Sequence, residues 1–284
     1  MLAHQDIQLA NGRVLRVGTT GGTGPPLVLL HGLLDSGEGW AGVLEATRRP
    51  GVAIDLPGFG GSDLPARARI GGYADAVVEA LERLDIGDCV MVGHSLGGAV
   101  ATAVMERARS RVNAALLLAP AGYGRISMAE LFARPGVREV SALALSGLLR
   151  SRMAVGTAYS ALVANGVQAD PALLHRLSTR AVAGAAGTRA ALIALDASGR
   201  SRGAFHRRTI SFDGPVTALW GSDDQLVPLD HAHHLQRSIP HAEVEIWYRM
   251  GHHPQVEQPK RLVELMEQTV QRGRDEQARR AARR

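Results

Sequence analysis

The chain has 284 residues, of which 45% are hydrophobic and 21% are charged, with a formal net charge of +5. This composition fits one large domain, or one domain with an insertion, and excludes a disordered chain. The longest apolar runs are too short to cross a bilayer, and a single cysteine, Cys89, excludes an intramolecular disulfide and a cysteine-built metal site. Because the first residues lack a basic and an apolar signal region, we expect a cytoplasmic protein without membrane contact.

The positive charge is concentrated in two segments. Residues 123–210 carry +8 and the last thirteen residues, from Arg272, carry +4, so the rest of the chain carries −7. No aromatic residues alternate with the basic residues at the carboxyl end, as a protein that binds single-stranded nucleic acid would favour. We therefore predict no nucleic-acid partner, and we expect residues 274–284 to form a basic, disordered tail.

The predicted elements begin with a hairpin. Alternating residues at Asp6–Ala10 and Val14–Val17 flank Asn11 and Gly12, a pair typical of tight turns. Six short apolar runs follow, and their lengths and flanking glycines and prolines are typical of strands buried on both faces of a parallel sheet. These runs are Leu27–Leu30, Val52–Ile54, Cys89–Val92, Ala115–Leu118, Val216–Leu219 and Val244–Tyr248.

Helical patterns lie between the predicted strands. They cover Tyr73–Leu84, Leu96–Ala108 and Gln258–Gln271. Strands that alternate with helices favour an α/β fold. We predict a doubly wound, mostly parallel sheet of eight strands, two of which form the N-terminal hairpin.

One long segment interrupts this alternation. Residues 123–210 are rich in Ala, Leu and Arg and contain no convincing strand, and they are too many for an ordinary loop. We predict that they form a helical cap inserted after the sixth strand. The core would then comprise residues 1–122 and 211–273.

A candidate nucleophile follows the fifth predicted strand. Ser95 lies between Gly93 and Gly97, with an apolar strand before it and a helical run of small residues after it. In a sharp strand-to-helix turn of this kind the serine hydroxyl is exposed, and the two glycines let strand and helix pass closely. Because the helix amino terminus favours developing negative charge, we predict that Ser95 is a catalytic nucleophile.

Five motifs rich in Gly, His and Asp are spread along the chain. They are His31–Asp35 (HGLLD), Asp55–Asp63 (DLPGFGGSD), Gly93–Gly98 (GHSLGG), Trp220–Pro228 (WGSDDQLVP) and Gly251–Pro259 (GHHPQVEQP). In sequence and in order they resemble the motifs of the α/β-hydrolase family. The resemblance covers about residues 5–270 apart from the insertion. It implies a capped serine hydrolase of the esterase or meta-cleavage product hydrolase branch.

Two carboxylates are candidates for the group that orients the catalytic base. A serine nucleophile needs a base, and the base needs a neighbour that fixes its tautomer. After Ser95, the acidic residues that follow a strand and precede a helix start are Asp223 and Asp224. The family spacing, counted from Gly221, implies Asp224, with Asp223 as the alternative.

The base and the oxyanion donors come from three different motifs. The resemblance places the base directly after Gly251, at His252, and the adjacent His253 would then face away from the nucleophile. Acyl transfer also needs N–H groups where negative charge develops. The residue after the nucleophile, Leu96, supplies one backbone amide. The resemblance implies Leu33 as the second.

Other short motifs are weak signals. The pattern His-Ala-His-His at 231–234 is not followed by the Asp and His of a hydrolase-type metal site. The segments Gly58–Asp63 and Gly21–Gly24 lack the final glycine or the helix of a dinucleotide-binding loop. We therefore expect no metal and no cofactor, and we interpret Cys89 as a packing residue rather than a reactive thiol.

The resemblance narrows the reaction to three hypotheses. Haloalkane dehalogenases and epoxide hydrolases resemble this chain, but they use an aspartate in place of Ser95. The first hypothesis is hydrolysis of a small carboxylic ester or thioester through an acyl-enzyme. The second is hydrolysis of a carbon–carbon bond in a diketone, as in meta-cleavage product hydrolases, which Trp220–His231 resembles although His253 stands where that group usually has Trp. The third is a non-catalytic ligand receptor on the same scaffold.

The basic segment raises the hypothesis of an anionic acyl substrate, namely a carboxylate, a CoA ester or a carrier-protein thioester. Arginine favours bidentate contacts with carboxylates and phosphates. The alternative is that these arginines pair with the acidic core or are solvated. Residues of the cap would line the substrate pocket, and the sequence is compatible with an oligomer. The arginines that cluster are Arg200, Arg202, Arg207 and Arg208.

Overall fold

A computed structural model describes residues 2–126, 185–197, 204–205 and 208–283, with single positions at 137, 140, 151, 153, 156, 157 and 160. The strands are β1 (Ala3–Gln8), β2 (Val14–Thr20), β3 (Leu27–Leu30), β4 (Gly51–Ile54), β5 (Cys89–His94), β6 (Val112–Leu118), β7 (Val216–Gly221) and β8 (Glu243–Trp247). They form one sheet in the order β1-β2-β4-β3-β5-β6-β7-β8. Strands β3 to β8 run parallel, whereas β1 and β2 pair antiparallel. The predicted mostly parallel sheet of eight strands is therefore confirmed.

Helices cover both faces of this sheet, as a doubly wound fold requires. Successive residues of β3 point to opposite faces, so Leu27 and Leu29 join one core while Val28 and Leu30 join the other. The helices are α1 (Ala41–Thr47), α2 (Ile70–Arg83), α3 (Leu96–Arg107), α4 (Ala185–Ala197), α5 (Asp230–Ser238), α6 (Pro254–Glu257) and α7 (Pro259–Ala282). Helices α1 and α7 contribute to the first core, and α2 and α3 contribute to the second.

The N-terminal hairpin turns where the Asn-Gly pair predicts. The amide of Leu9 donates to the carbonyl of Arg13 at 2.8 Å, and the amide of Gly12 donates to the carbonyl of Leu9 at 2.9 Å. Gly12 has a φ of +79°, a backbone conformation that glycine adopts without a steric penalty. The hairpin is therefore closed by local turn chemistry, and its second strand then pairs with β4 to join the parallel sheet.

The predicted cap, residues 123–210, lies mostly outside the described residues. Within it the structure describes helix α4, whose Gly187 packs so closely on Gly58 that no Cβ would fit between the two backbones. The two ends of the inserted segment meet, because the amide of Phe205 donates to the carbonyl of Gly122 at 2.8 Å. Helix α5 holds one of these ends, since Ser238 donates its hydroxyl to the carbonyl of Phe205 at 2.7 Å.

The prediction of a disordered tail at residues 274–284 is wrong. Helix α7 continues to Ala282, well past the predicted end of the helical pattern. Gln277 donates to the Asp88 carboxylate at 2.9 Å, and Arg280 donates to the carbonyl of Asp213 at 2.7 Å. A pair between Arg280 and Glu276, four residues apart, adds local support to the helix. The basic end is therefore an extension of the helix that is attached to the core.

The sheet brings four loops to one edge. Strands β3, β5 and β7 run parallel with β8, so the loops that follow them leave from the same side. In an open α/β sheet this is the side where ligands bind. The loops after β5, β7 and β8 carry Ser95, Asp224 and His252, and the loop after β3 carries Leu33.

Candidate active site

Ser95 occupies a strained turn between β5 and α3. Its backbone has φ 53° and ψ −115°, a conformation that non-glycine residues rarely adopt and that marks functional sites. The turn is held by its main chain, because the Ser95 amide donates to the carbonyl of Leu118 at 2.9 Å. The Ser95 carbonyl accepts from the amides of Gly98 and Ala121, each at 3.0 Å. The surrounding backbone therefore fixes the position of this serine.

The glycines on either side of Ser95 are required by close packing. A Cβ on Gly93 would lie 2.5 Å from the carbonyl oxygen of Gly97. A Cβ on Gly97 would lie 2.6 Å from the carbonyl oxygen of His31, in the loop after β3. Real Cβ atoms do not come so close to another atom, so a side chain at either position would push strand, helix and loop apart. This spacing explains why glycine flanks the serine two residues away on both sides.

His252 and Asp224 form a buried pair. Nδ1 of His252 lies 2.7 Å from Oδ2 of Asp224, and their side chains are 2% and 0% exposed. A carboxylate only accepts hydrogen bonds, so Nδ1 carries the proton and Nε2 is the basic nitrogen. Nε2 is buried and has no hydrogen-bond partner among the residues that the structure describes. Nε2 of His252 is therefore available to accept a proton.

The ionised form of Asp224 is favoured by its neighbours. Burial raises its pKa, but the charge of His252, the hydrogen bond from His252 and the amides of Val227 and Leu226 outweigh burial and lower the pKa below 3.8. The two amides donate to Oδ1 at 2.9 and 2.8 Å. Asp224 is therefore an anion across the neutral range, as a group that orients an imidazole must be.

The structure distinguishes Asp224 from the neighbouring Asp223. The side chain of Asp223 is exposed and accepts a hydrogen bond from the hydroxyl of Ser222 at 2.7 Å. Its backbone amide donates to the carbonyl of Met250, so this residue ties the loop after β7 to the loop after β8. Asp224, and not Asp223, carries the carboxylate that contacts His252.

The loop after β3 lies directly against Ser95. A Cβ on Gly32 would lie 3.3 Å from Cβ of Ser95. His31 holds this loop, because its Nε2 accepts from the amide of Leu56 at 2.9 Å and its Nδ1 donates to the carbonyl of Gly32 at 2.7 Å. The predicted donor Leu33 follows in this loop. The other predicted donor, Leu96, is the first residue of α3, where a helix leaves its N–H groups without intrahelical partners.

Two further histidines pack around His252. The ring centroids of His94 and His253 lie 4.7 and 5.2 Å from that of His252. Burial, with a smaller contribution from the charge of His252, lowers the pKa of His253 to about 3. Burial likewise lowers the pKa of His94 well below its usual range. Both rings are therefore neutral at neutral pH.

Two histidines of the 231–234 motif contact backbone carbonyls. His231 donates to the carbonyl of Arg125 at 3.2 Å, and His234 donates to the carbonyl of Tyr123 at 2.9 Å. Within the described part of the chain, no group of three or more His, Cys, Asp or Glu side chains could hold a metal ion. Cys89 is buried in β5, where burial raises the pKa of its thiol to about 12. A thiol with such a pKa is unreactive at neutral pH.

Sequence reasoning did not recognise three polar residues around the site. His94 precedes the nucleophile, while Gln255 and Glu257 follow the predicted base, and all three contact groups close to His252. Each lies inside a motif that resembles the family. The sequence could have indicated them only as polar residues that lie next to the predicted nucleophile and base within these motifs.

The described residues include no helix with the length and apolar character needed to cross a bilayer.

The sequence model of the alpha/beta hydrolase fold family matches residues 25–259. The chain therefore belongs to the α/β-hydrolase fold family. Given this family and the hydrolases among its relatives, it is an enzyme with esterase or other hydrolase activity, and the receptor hypothesis is set aside.

The chain is similar to several individual proteins. The chain is 30% identical over 256 residues to an uncharacterised protein of Mycobacterium tuberculosis, covering 87% of this chain and 75% of that protein. It is 27% identical over 274 residues to a 2-hydroxy-6-oxononadienedioate/2-hydroxy-6-oxononatrienedioate hydrolase of Burkholderia vietnamiensis, covering 92% and 93%. Among solved structures, a thermophilic esterase from Thermogutta terrifontis has a TM-score of 0.75 at 20% identity, covering 95% of this chain and 99% of that one.

Proposed function

We propose that this enzyme hydrolyses a small carboxylic ester or thioester through an acyl-enzyme on Ser95. The observation that carries the proposal is the buried 2.7 Å pair of His252 and Asp224, whose free Nε2 lies on the side of the sheet where Ser95 sits in a strained turn. Nucleophile, base and orienting acid are the three groups that acyl transfer by serine needs. No cofactor enters the reaction.

The proposed reaction has two halves. In the first, Nε2 of His252 takes the hydroxyl proton as Oγ of Ser95 attacks the carbonyl carbon. The imidazolium then gives this proton to the departing alcohol or thiol, and the acyl group remains on Ser95. In the second half, His252 takes a proton from water, the hydroxide attacks the acyl carbon, and the acid leaves while the proton returns to Ser95. Asp224 stabilises the imidazolium in both halves.

The negative charge that develops on the carbonyl oxygen needs fixed donors. The amides of Leu96 and Leu33 are the proposed donors, since α3 begins at Leu96 and the loop after β3 abuts Ser95. Both amides belong to backbone that is already held by hydrogen bonds, so little reorganisation is needed during the reaction. Each donor in such a site contributes about 10²- to 10³-fold to the rate.

A second candidate is hydrolysis of a carbon–carbon bond in a diketone. It is favoured by the relatives named as hydrolases of 2-hydroxy-6-oxononadienedioate and of 2-hydroxymuconate semialdehyde, which are 27% and 28% identical to this chain. The same three side chains would serve this reaction. The substrate, rather than the triad, therefore distinguishes the two candidates.

We expect the purified protein to hydrolyse p-nitrophenyl esters, with an optimum at one chain length between acetate and decanoate. A fluorophosphonate should add to Ser95, because only an activated serine reacts with it. The measurements are release of p-nitrophenol across the series and mass analysis of the labelled peptide. Labelling together with cleavage of a diketone but not of esters would favour the second candidate. Absence of both labelling and turnover would refute the serine mechanism.

We also propose that the acyl substrate is anionic. The support is the +8 charge of residues 123–210, together with a relative whose name specifies a dioate. Of the four clustered arginines, Arg200, Arg202 and Arg207 lie outside the described residues. Arg208 forms an ion pair with Glu106 at 2.9 Å. Arg208 therefore already has an acidic partner, so the proposal rests on the other arginines of the segment.

This second proposal predicts a salt-dependent preference for charged substrates. A p-nitrophenyl ester with a terminal carboxylate should have a higher kcat/KM than the neutral ester of equal length at low salt. The advantage should shrink at 0.5 M salt, because salt screens interactions between exposed charges. Neutral esters provide the control. Equal kcat/KM values for both esters at both salt concentrations would show that the charge of residues 123–210 does not attract the substrate.

A further inference from the structure

The backbone around His252 is held from one side by a carboxylate. Oε2 of Glu257 accepts a hydrogen bond from the amide of Gly251 at 2.7 Å, and Oε1 accepts from the amide of His253 at 2.9 Å. These amides are the ones immediately before and after His252. Glu257 lies at the end of the short helix α6, so the carboxylate folds back over the loop that leads into that helix. One side chain therefore holds the backbone amides of the two residues on either side of the base.

A second side chain holds the backbone carbonyl of His252. Nε2 of His94 donates to the carbonyl oxygen of His252 at 2.7 Å. Nδ1 of His94 lies 3.3 Å from the side-chain amide of Gln255, which fits donation to an unprotonated nitrogen. The His94 ring is buried and its low pKa keeps it neutral, so the tautomer that donates from Nε2 persists at working pH.

We propose that Glu257 and His94 are positioning residues that together fix the imidazole of His252 between Asp224 and Ser95. This inference rests on the proposed function, in which His252 is the general base. Because His94 directly precedes Ser95, the turn that carries the nucleophile also holds the loop that carries the base. A displacement of about 1 Å between such groups lowers a rate about 100-fold.

The chemistry of the two contacts dictates the variants. Glu257→Gln keeps the size of the side chain but replaces one acceptor oxygen with an NH₂ group, which cannot accept from the second amide. His94→Phe removes the donor to the His252 carbonyl and keeps a ring. His94→Gln returns an N–H donor at nearly the same reach. His94→Gln should therefore recover the contact to the His252 carbonyl that His94→Phe loses.

Matched controls exist elsewhere in the chain. Glu79 accepts from the backbone amide of Ala10 at 2.5 Å and pairs with Arg83 at 2.8 Å, so Glu79→Gln removes a carboxylate charge far from the site. His241 donates to the carbonyl of Gly214 at 3.0 Å, so His241→Phe repeats the second. These variants report what the loss of a carboxylate charge, or of one ring contact to the backbone, does to stability away from the site.

The experiment measures kcat, KM and the melting temperature of each variant. It also measures the downfield NMR resonance of the proton that His252 donates to Asp224. For Glu257→Gln and His94→Phe we expect kcat to fall about 10- to 100-fold at nearly constant KM, with a shifted or broadened resonance. His94→Gln should recover most of the lost rate and the resonance. Glu79→Gln and His241→Phe should lower the melting temperature by a similar amount and leave kcat and the resonance unchanged.

The inference is overturned if the site variants match their controls in kcat and in the resonance, or if only KM changes. It is also overturned if His94→Gln is no better than His94→Phe. Failure of the proposed function would look different, because the wild-type protein would then turn over no substrate. In that case the resonance alone decides whether Glu257 and His94 fix the ring of His252.

Discussion

Replacement of Ser95 by alanine is expected to lower kcat about 10⁶-fold and to abolish labelling by a fluorophosphonate. The magnitude follows from the loss of the covalent route, because base, acid and oxyanion donors have no nucleophile to act on. The substitution removes one oxygen from a turn that is held by its backbone, so the fold should be retained. The measurements are burst kinetics with the best p-nitrophenyl ester and the intact mass after labelling.

Ser211→Ala is the matched control for this prediction. Ser211 is exposed and accepts a hydrogen bond from Arg109 at 3.2 Å, on a segment that precedes β7. Its variant should keep wild-type turnover and labelling. Full activity of Ser95→Ala would mean that the reaction uses another nucleophile or activates water directly, and either result would end the acyl-enzyme proposal.

A second large effect is expected at Asp224, the residue that orients the base. Asp224→Asn should lower kcat about 10⁴-fold, because an amide that donates to the imidazole stabilises the wrong tautomer and leaves the imidazolium without its anion. The side chain is 0% exposed and accepts hydrogen bonds from two amides, so the variant also loses stability. The rate should be measured below the melting temperature of the variant, where the folded fraction is complete.

Asp223→Asn tests whether the effect belongs to the carboxylate that faces His252. The two aspartates are adjacent, but the side chain of Asp223 is exposed and contacts Ser222. Its variant should change kcat less than about threefold, in line with an exposed site away from the chemistry. A larger loss at Asp223 than at Asp224 would reverse the assignment of the acid.

The fold was predictable because its signals are local. Short apolar runs between glycines and prolines located the strands, and the Asn-Gly pair located the hairpin turn, since each depends on residues close in sequence. The order of strands in the sheet is not local. It depends on contacts between residues far apart along the chain, and it was not predicted.

The sequence predicts candidate residues of the site but not their contacts. Ser95 could be derived from its strand-to-helix context, while His252 and the choice between Asp223 and Asp224 needed the family spacing. Glu257 and His94 were missed because their role depends on two loops meeting across the sheet, which spacing along the chain does not reveal. The disordered tail was wrong for the same reason, because the partners of Gln277 and Arg280 lie far away in sequence.

The backbone hydrogen bond from Phe205 to Gly122 joins the two ends of the inserted segment at the catalytic core. Because Gly122 and Phe205 are joined, the sheet does not set the number of residues between them. The entropy of closing such a loop grows only slowly with its length. We therefore expect that a change in the length of this segment costs the fold little and leaves Ser95, Asp224 and His252 in place.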